Sequence, residues 1–125
     1  MFLSVVAINT TAETKNTIFV FGEYPAKTVC IKHPAAENVN KYFSEATVIS
    51  FEVFKLDDKA TYIKYLQSNP DVESVTEGGL TGDFQMFTIT MKTAKNKAWF
   101  VALLKRAGSR DIKINNMSVK SLDNL

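Results

Sequence analysis

Alternating apolar and polar positions in the second part of the chain predict four strands with two helices between them. Residues 47–55 (TVISFEVFK) and 83–92 (DFQMFTITMK) alternate strongly, which indicates strands with one covered face each. A charged strand over residues 71–77 is typical of a sheet edge, and a last strand covers residues 112–119. The order is therefore strand, helix, strand, strand, helix, strand.

This order predicts an α+β fold with a ferredoxin-like (split βαβ) core over residues 47–120. Two helices would cover one face of a four-stranded antiparallel sheet. Asp57 or Asp58 is expected to cap the first helix and Thr93 the second, because their side-chain oxygens can accept from free backbone N–H groups. Gly108 stands where a glycine ends the second helix.

Two breaks in the pattern predict bends in this core. The glycine-rich stretch over residues 78–82 predicts a flexible turn between two strands. In the last strand the apolar parity changes at Asn115 and Asn116, which predicts a bulge or a sharp bend there.

The first 46 residues predict an extension of two to three strands and one helix. Residues 2–8, 17–21 and 28–32 are rich in β-branched and aromatic side chains, as strands are. Pro34 suits the first turn of a helix, whose apolar face carries Ala35, Val39, Tyr42, Phe43 and Ala46. No linker separates this extension from residues 47–125, so we expect one domain over residues 1–125 with an enlarged, mostly antiparallel sheet.

Composition narrows the class of protein. The chain has 125 residues, of which 46% are apolar and 22% charged, which is typical of one globular domain. Its single cysteine, Cys30, excludes an intramolecular disulfide. The apolar run at residues 2–8 is short and has no basic residue before it, so it does not resemble a signal peptide. We therefore expect a cytoplasmic protein that does not contact membranes.

The residues give little support to catalysis. Cys30 and His33 are the obvious nucleophile and base, but three positions apart on a strand they begin on opposite faces. One Cys and one His cannot complete a zinc site, and the glycine-rich stretch lacks the Gly-Lys-Ser/Thr ending of a phosphate-binding loop. We therefore expect no metal and no cofactor, and favour a non-catalytic protein.

Charge is distributed unevenly along the chain, although its net value is only +2. Residues 1–91 hold 7 Lys against 11 acidic residues, whereas residues 92–125 hold 8 basic residues against 2 acidic ones. A helix face that concentrates basic side chains binds phosphates or an acidic protein surface. On a helical projection the basic residues of the second core helix lie opposite its apolar arc, and the series continues beyond the helix: Lys95, Lys97, Lys105, Arg106, Arg110 and Lys113.

The sheet face opposite the helices is a second candidate surface. If Ile49, Phe51 and Val53 face the helices, the other face carries Phe54, Phe84 and Met86, which could stack on bases or make apolar contacts. RNA-recognition motifs stack bases on aromatic side chains of the two central strands. The resemblance is one of topology alone, because residues 82–89 lack the basic-Gly-Phe start of that family's aromatic strand.

These observations favour a small accessory or regulatory protein that binds single-stranded RNA or DNA through the basic helix. A protein-interaction module is the alternative, as an inhibitor or an assembly factor, and one that could be homodimeric. It would use the 71–77 edge or the patch around Phe54 and Met86. A small-molecule regulatory domain or an enzyme is the third possibility.

Overall fold

The computed structural model describes residues 24–32, 39–115 and 117–125, which form one six-stranded sheet and three helices. The predicted α+β class is confirmed. The elements in chain order are β1 (Val29–Ile31), α1 (Val39–Glu45), β2 (Val48–Phe54), α2 (Lys59–Gln67), β3 (Val72–Thr81), β4 (Phe84–Met91), α3 (Lys97–Ala107), β5 (Asp111–Ile114) and β6 (Lys120–Ser121), followed by a 3-10 turn (Leu122–Asn124).

The strands are arranged in the order β3-β4-β2-β1-β5-β6. All neighbours are antiparallel except β1 and β5, which run parallel. The sheet is therefore enlarged and mostly antiparallel, as expected. The ferredoxin-like core predicted over residues 47–120 is not confirmed, because β1 separates β2 from β5. Val29 and Ile31 of β1 are fully buried, so the inserted strand is part of the core.

The core lies between one face of the sheet and the helices. Ile49, Phe51 and Val53 of β2 are buried, whereas Val48 and Ser50 are exposed, so the predicted alternation is confirmed. Aromatic rings join the layers. Phe100 of α3 stacks on Phe43 of α1 at 5.1 Å between ring centroids and meets the ring of Phe51 at 5.8 Å.

Side-chain caps fix where two helices begin. Asp58 caps α2, with its carboxylate accepting from the backbone N–H of Thr61 at 3.1 Å. The hydrogen bonds that the Thr61 backbone and side chain donate to the Asp58 carboxyl lower its pKa. Asn96 caps α3 and accepts from the N–H of Trp99 at 2.9 Å, so the prediction of Thr93 as the cap was wrong. Gly108 ends α3 at φ 114°, as predicted.

The β3–β4 hairpin is longer than the sequence predicted. β3 continues through the glycine pair to Thr81, and the turn is confined to Gly82 and Asp83. The flexible turn predicted over residues 78–82 was therefore wrong. Gly78 lies so close to Met86 that a Cβ atom there would be 2.5 Å from Cγ of Met86. Glycine thus permits a close strand contact here, beside an irregularity in register between Glu77 and Leu80.

The predicted last strand is divided into two. β5 ends at Ile114, and Asn115 adopts φ 51°, which turns the chain back so that β6 pairs antiparallel with β5. The bend predicted at this point is confirmed for Asn115; Asn116 lies outside the described residues. The strands predicted over residues 2–8 and 17–21, the base candidate His33 and the helix start at Pro34 also lie outside the described residues.

Candidate nucleic-acid interface

The basic residues of α3 lie at its two ends. Lys97 and Arg106 are nine positions apart, which is about 14 Å along a helix axis. The exposed surface between them carries Ala98 and Ala102, which are uncharged. The basic residues that the helical projection placed opposite the apolar arc therefore form two groups along the helix axis.

The group at the start of α3 contacts the β3–β4 hairpin. Lys95 forms an ion pair with Asp71 at 3.2 Å, and Lys97 is half-buried at the beginning of the helix. The positive charge of Lys95 is therefore partly neutralised by a carboxylate of the same chain. Lys95 and Lys97 are both half-buried, whereas Lys105, Arg106 and Arg110 are exposed, so this end is the weaker candidate for phosphate contacts.

The group at the end of α3 surrounds an open cavity. Lys105 and Arg106 are in the last helical turn, and Arg110 is exposed immediately before β5. Cations at this position also interact favourably with the helix dipole. The cavity has a volume of about 510 Å³ and is lined by Lys105, Gly108, Ser109, Arg110, Asp111, Ser121 and Asp123. Within it Lys105 forms an ion pair with Asp123.

Lys27 joins this second group from a distant part of the sequence. Its Nζ lies 3.5 Å from the position that a Cβ atom on Gly108 would occupy. The buried hydroxyl of Ser109 holds the two segments together. It donates to the carbonyl of Lys27 at 2.7 Å and lies 2.7 Å from the Tyr62 hydroxyl. Sequence reasoning missed Lys27, because nothing in a linear pattern brings residue 27 to residue 108.

Lys113 extends the basic surface onto the sheet face that faces away from the helices, which we call the open face. It is the register partner of Cys30 in β1, and Cys30 is in turn the partner of Glu52 in β2. Glu52 is paired with Met86 in β4. One row across the open face therefore presents, in order, a cation, a thiol, a carboxylate and a thioether. The Lys113 ammonium also donates to the carbonyl of Asn115.

Cys30 is half-buried in this row. Burial raises the pKa of its thiol, and the nearby Lys113 ammonium offsets only part of that effect. A raised pKa disfavours the thiolate, which is the nucleophilic form. The arrangement is that of an unreactive strand cysteine.

The three predicted contact residues differ in exposure. Phe54 is buried, with 4% of its surface exposed, inside an aromatic cluster with Tyr24 and Phe84. Phe84 and Met86 are half-buried on the open face. Of the three, these two present surface to a ligand.

Hydroxyl groups lie side by side on the part of the open face formed by β2 and β4. Ser50 and Thr88 are hydrogen-bonded to each other at 2.8 Å across β2 and β4. Val48 is 52% exposed at the end of β2. A shallow depression of about 100 Å³ in this face is lined by Cys30, Lys32, Ser50, Phe51, Glu52 and Met86.

Among the described residues, no group of three or more His, Cys, Asp or Glu side chains could hold a metal ion. No helix in the same part of the chain is long and apolar enough to cross a bilayer.

Comparison with known proteins gives no relative. The chain matches no protein-family model, no curated protein and no solved structure at a significant level. Function must therefore be argued from the surfaces described above.

Proposed function

We propose that this protein is a non-catalytic binding protein that contacts single-stranded nucleic acid through its basic edge. The basic edge is defined as the cations around β5, β6 and the end of α3: Lys27, Lys32, Lys105, Arg106, Arg110, Lys113 and Lys120. The observation that carries the proposal is that the fold brings Lys27 beside Gly108 and the end of β1, with Lys32, beside β5, so that cations from separate segments share one edge of the described sheet. The acidic residues of the segment 105–125 are Asp111 and Asp123, and Asp123 is paired with Lys105. A surface of this kind attracts phosphates irrespective of base sequence.

The open face continues the basic edge and suits unstacked bases. Arg110 and Lys113 lead from the end of α3 onto this face, where Met86 and Phe84 present half-buried apolar surface. Stacking on such side chains needs single-stranded nucleic acid, because bases in a duplex are already stacked. Since Phe54 is buried, we propose only Phe84 and Met86 as contacts for the bases.

We also infer a relation to the ferredoxin-like fold. Without β1 the strand order would be β3-β4-β2-β5, which is the order of a split βαβ unit. In this interpretation β1 is an insertion that widens the open face and places Cys30 and Lys32 beside Lys113. The wider face offers more surface to an extended ligand.

The test is a binding titration at two salt concentrations. Fluorescence anisotropy of a labelled 20-nucleotide single-stranded RNA, the matching DNA and a duplex would be followed at 50 and 200 mM salt. With three to four phosphate contacts, the single-strand affinity should fall roughly 20- to 50-fold between the two conditions. The duplex should bind more weakly, because it offers no free base faces.

A pair of charge-reversal variants locates the site. The double variant Arg106→Glu/Arg110→Glu should lower affinity at 50 mM salt at least about tenfold, because two phosphate contacts become repulsive. The control, Lys64→Glu/Lys92→Glu, changes net charge equally away from the basic edge and should retain most of the affinity. Equal losses in both variants, or no binding at 50 mM salt, would contradict the proposal.

An acidic protein surface is the alternative partner for the same cations. Competition with polyglutamate separates the two. A nucleic-acid site retains its preference for single strands when polyglutamate is present at equal charge concentration. A purely electrostatic site releases single-stranded and duplex nucleic acid alike when polyglutamate is added.

A second candidate function is self-association through the open face, which a specific observation favours. Val48 is 52% exposed there, among uncharged hydroxyl-bearing side chains. Two sheets can pack with such faces together. A Val48→Glu/Met86→Glu variant should then dissociate a dimer seen by sedimentation. A wild-type chain that sediments as a monomer at high protein concentration would exclude this candidate.

A further inference from the structure

β3 forms an edge of the described sheet, opposite the basic edge. It is ten residues long and its only strand partner among the described residues is β4. All six residues from Thr76 to Thr81 are exposed, so both faces of this half of the strand are accessible. Edge strands present free backbone N–H and C=O groups that can pair with another chain.

The side chains of this edge are acidic. Residues 71–91 contain four acidic residues and no Lys or Arg. Glu73 and Glu77 stand on either side of Val75 and are both exposed. The carboxylate of Glu77 is 3.0 Å from the ammonium of Lys59 in α2, and both side chains retain 47% exposure. This ion pair is accessible to solvent, so a partner's cation can compete for Glu77.

One large apolar side chain stands beside the acidic positions. Leu80 is 69% exposed, the largest value among the exposed large hydrophobic side chains described. It borders a depression of about 300 Å³, lined by Lys55, Leu56, Lys59, Leu80, Gly82, Asp83 and Gln85. The edge therefore combines free backbone, acidic side chains and an apolar contact point.

We propose that β3 binds an extended, basic segment of a partner protein by strand addition. Backbone hydrogen bonds from the free side of β3 hold the segment. Its Lys or Arg side chains lie opposite Glu73 and Glu77, and an apolar side chain covers Leu80. The register irregularity between Glu77 and Leu80 bends the strand, so only a short segment can pair.

Charge argues against a second copy of this chain as the occupant. Antiparallel pairing of two β3 strands about Val75 would place Glu73 of each copy opposite Glu77 of the other. Like charges directly opposite each other destabilise a strand pair. A basic segment converts both repulsive positions into attractive ones.

The test uses three synthetic nine-residue peptides. The first alternates lysine and valine, the second has the same composition with all lysines first, and the third alternates glutamate and valine. The wild-type chain should bind the first peptide at least about tenfold more tightly than either of the others, because it alone combines alternation with positive charge. Equal affinity for the first two would overturn strand addition and leave only general charge attraction.

Charge exchange tests the assigned residues. The variant Glu73→Lys/Glu77→Lys should reverse the preference, so that the glutamate–valine peptide binds better than the lysine–valine peptide. Leu80→Ser should weaken the lysine–valine peptide about fivefold or more, as loss of a buried apolar contact does. Met117→Ser, between β5 and β6, is the matched control and should have no effect.

Thermal unfolding of each variant checks that it folds. Glu73→Lys alone is a second charge variant for the peptide titration, and it leaves the Lys59–Glu77 ion pair intact. An unchanged peptide preference in the folded charge variants would overturn the assignment to β3. This inference does not depend on nucleic-acid binding, because β3 and the basic edge lie at opposite sides of the sheet.

Discussion

The two edges of the sheet have opposite chemistry. The β3–β4 hairpin, residues 71–91, has four acidic residues and no basic one. The segment 105–125 has five basic residues against two acidic ones, and Lys27 and Lys32 are brought to it by the fold. Five strand spacings separate β3 from β6, which is about 24 Å. At that distance the two fields are largely screened from each other at physiological salt.

This difference explains why the net charge of +2 is uninformative. Net charge sums two surfaces that attract opposite partners. The edges also differ in construction. The acidic edge is a strand that pairs on one side only within the described residues, whereas the basic edge is formed by side chains around a helix end and a short strand pair. We therefore expect strand addition at one edge and phosphate contacts at the other.

The largest effect should come from the core that supports both edges. Phe100→Ala removes the ring that stacks on Phe43 and meets Phe51. Large-to-small changes of this kind cost about 3–5 kcal/mol, and both edges should lose binding together. Urea unfolding measures the change. Suppose that the free energy of unfolding fell but one edge kept its binding. The two edges would then not depend on the common core.

The next effect originates at the contact between β3 and β4, on the acidic side of the sheet. Gly78→Ala forces a Cβ atom against Met86 and should destabilise the fold by about 1–3 kcal/mol. Gly79→Ala is the matched control, because a Cβ there meets no atom within 4 Å. Comparison of their thermal midpoints decides the question. Equal midpoints would contradict the close contact between β3 and β4.

A smaller effect concerns the basic edge and depends on pH. Burial raises the pKa of the Tyr62 phenol well above its ordinary value, to about 12. The folded state thus holds the phenol proton more tightly than the unfolded state, and its stabilising effect is complete below about pH 10. Between about pH 10 and pH 12 the wild type should lose roughly 1–3 kcal/mol as that advantage disappears.

Tyr62→Phe supplies the comparison for this titration. It removes a hydroxyl that contacts Ser109 and should cost about 1 kcal/mol at neutral pH. The variant should then show a smaller loss of stability between pH 10 and pH 12 than the wild type. Parallel alkaline unfolding curves for the two proteins would be inconsistent with a buried Tyr62.

The smallest effect is at the start of α3, where Lys95 joins the helix to Asp71 beside the hairpin. Asn96→Ala removes the cap and should cost about 1 kcal/mol. Thr93→Ala should have no measurable effect, since Thr93 lies outside the helix. Chemical denaturation of both variants distinguishes them. The reverse ranking would restore Thr93 as the cap.

Local patterns predicted much of this fold. The alternation in residues 47–55 and 83–92 gave the correct buried face, because each strand has one covered side. Gly108 was identified, and the cap of α2 was narrowed to Asp57 or Asp58, because end-of-helix chemistry depends on neighbours in sequence; the structure selects Asp58. The cap at Asn96 was missed because Thr93 satisfies the same chemical requirement three positions earlier. The extent of β3 was missed because a glycine pair is read as a turn, whereas Gly78 serves a strand contact with Met86.

Long-range placement could not be predicted. The position of β1 between β2 and β5 follows from burial of Val29 and Ile31 against elements eighty residues away in sequence. Sequence reasoning named Lys105, Arg106 and Arg110 because they are close together along the chain. It missed Lys27 because only the fold brings that residue to Gly108. The role of the named residues in binding stays a prediction, as do the cytoplasmic location and the lack of catalysis.

The most direct test of the two-edge account is an amide-resolved NMR titration of the full chain with single-stranded RNA at low salt. The account predicts the largest shifts from Gly108 to Lys113 and at Lys27, smaller shifts at Phe84 and Met86, and little change from Glu73 to Glu77. Addition of the alternating lysine–valine peptide should give the complementary pattern. Shifts from RNA centred on β3, or spread evenly over both edges, would contradict it.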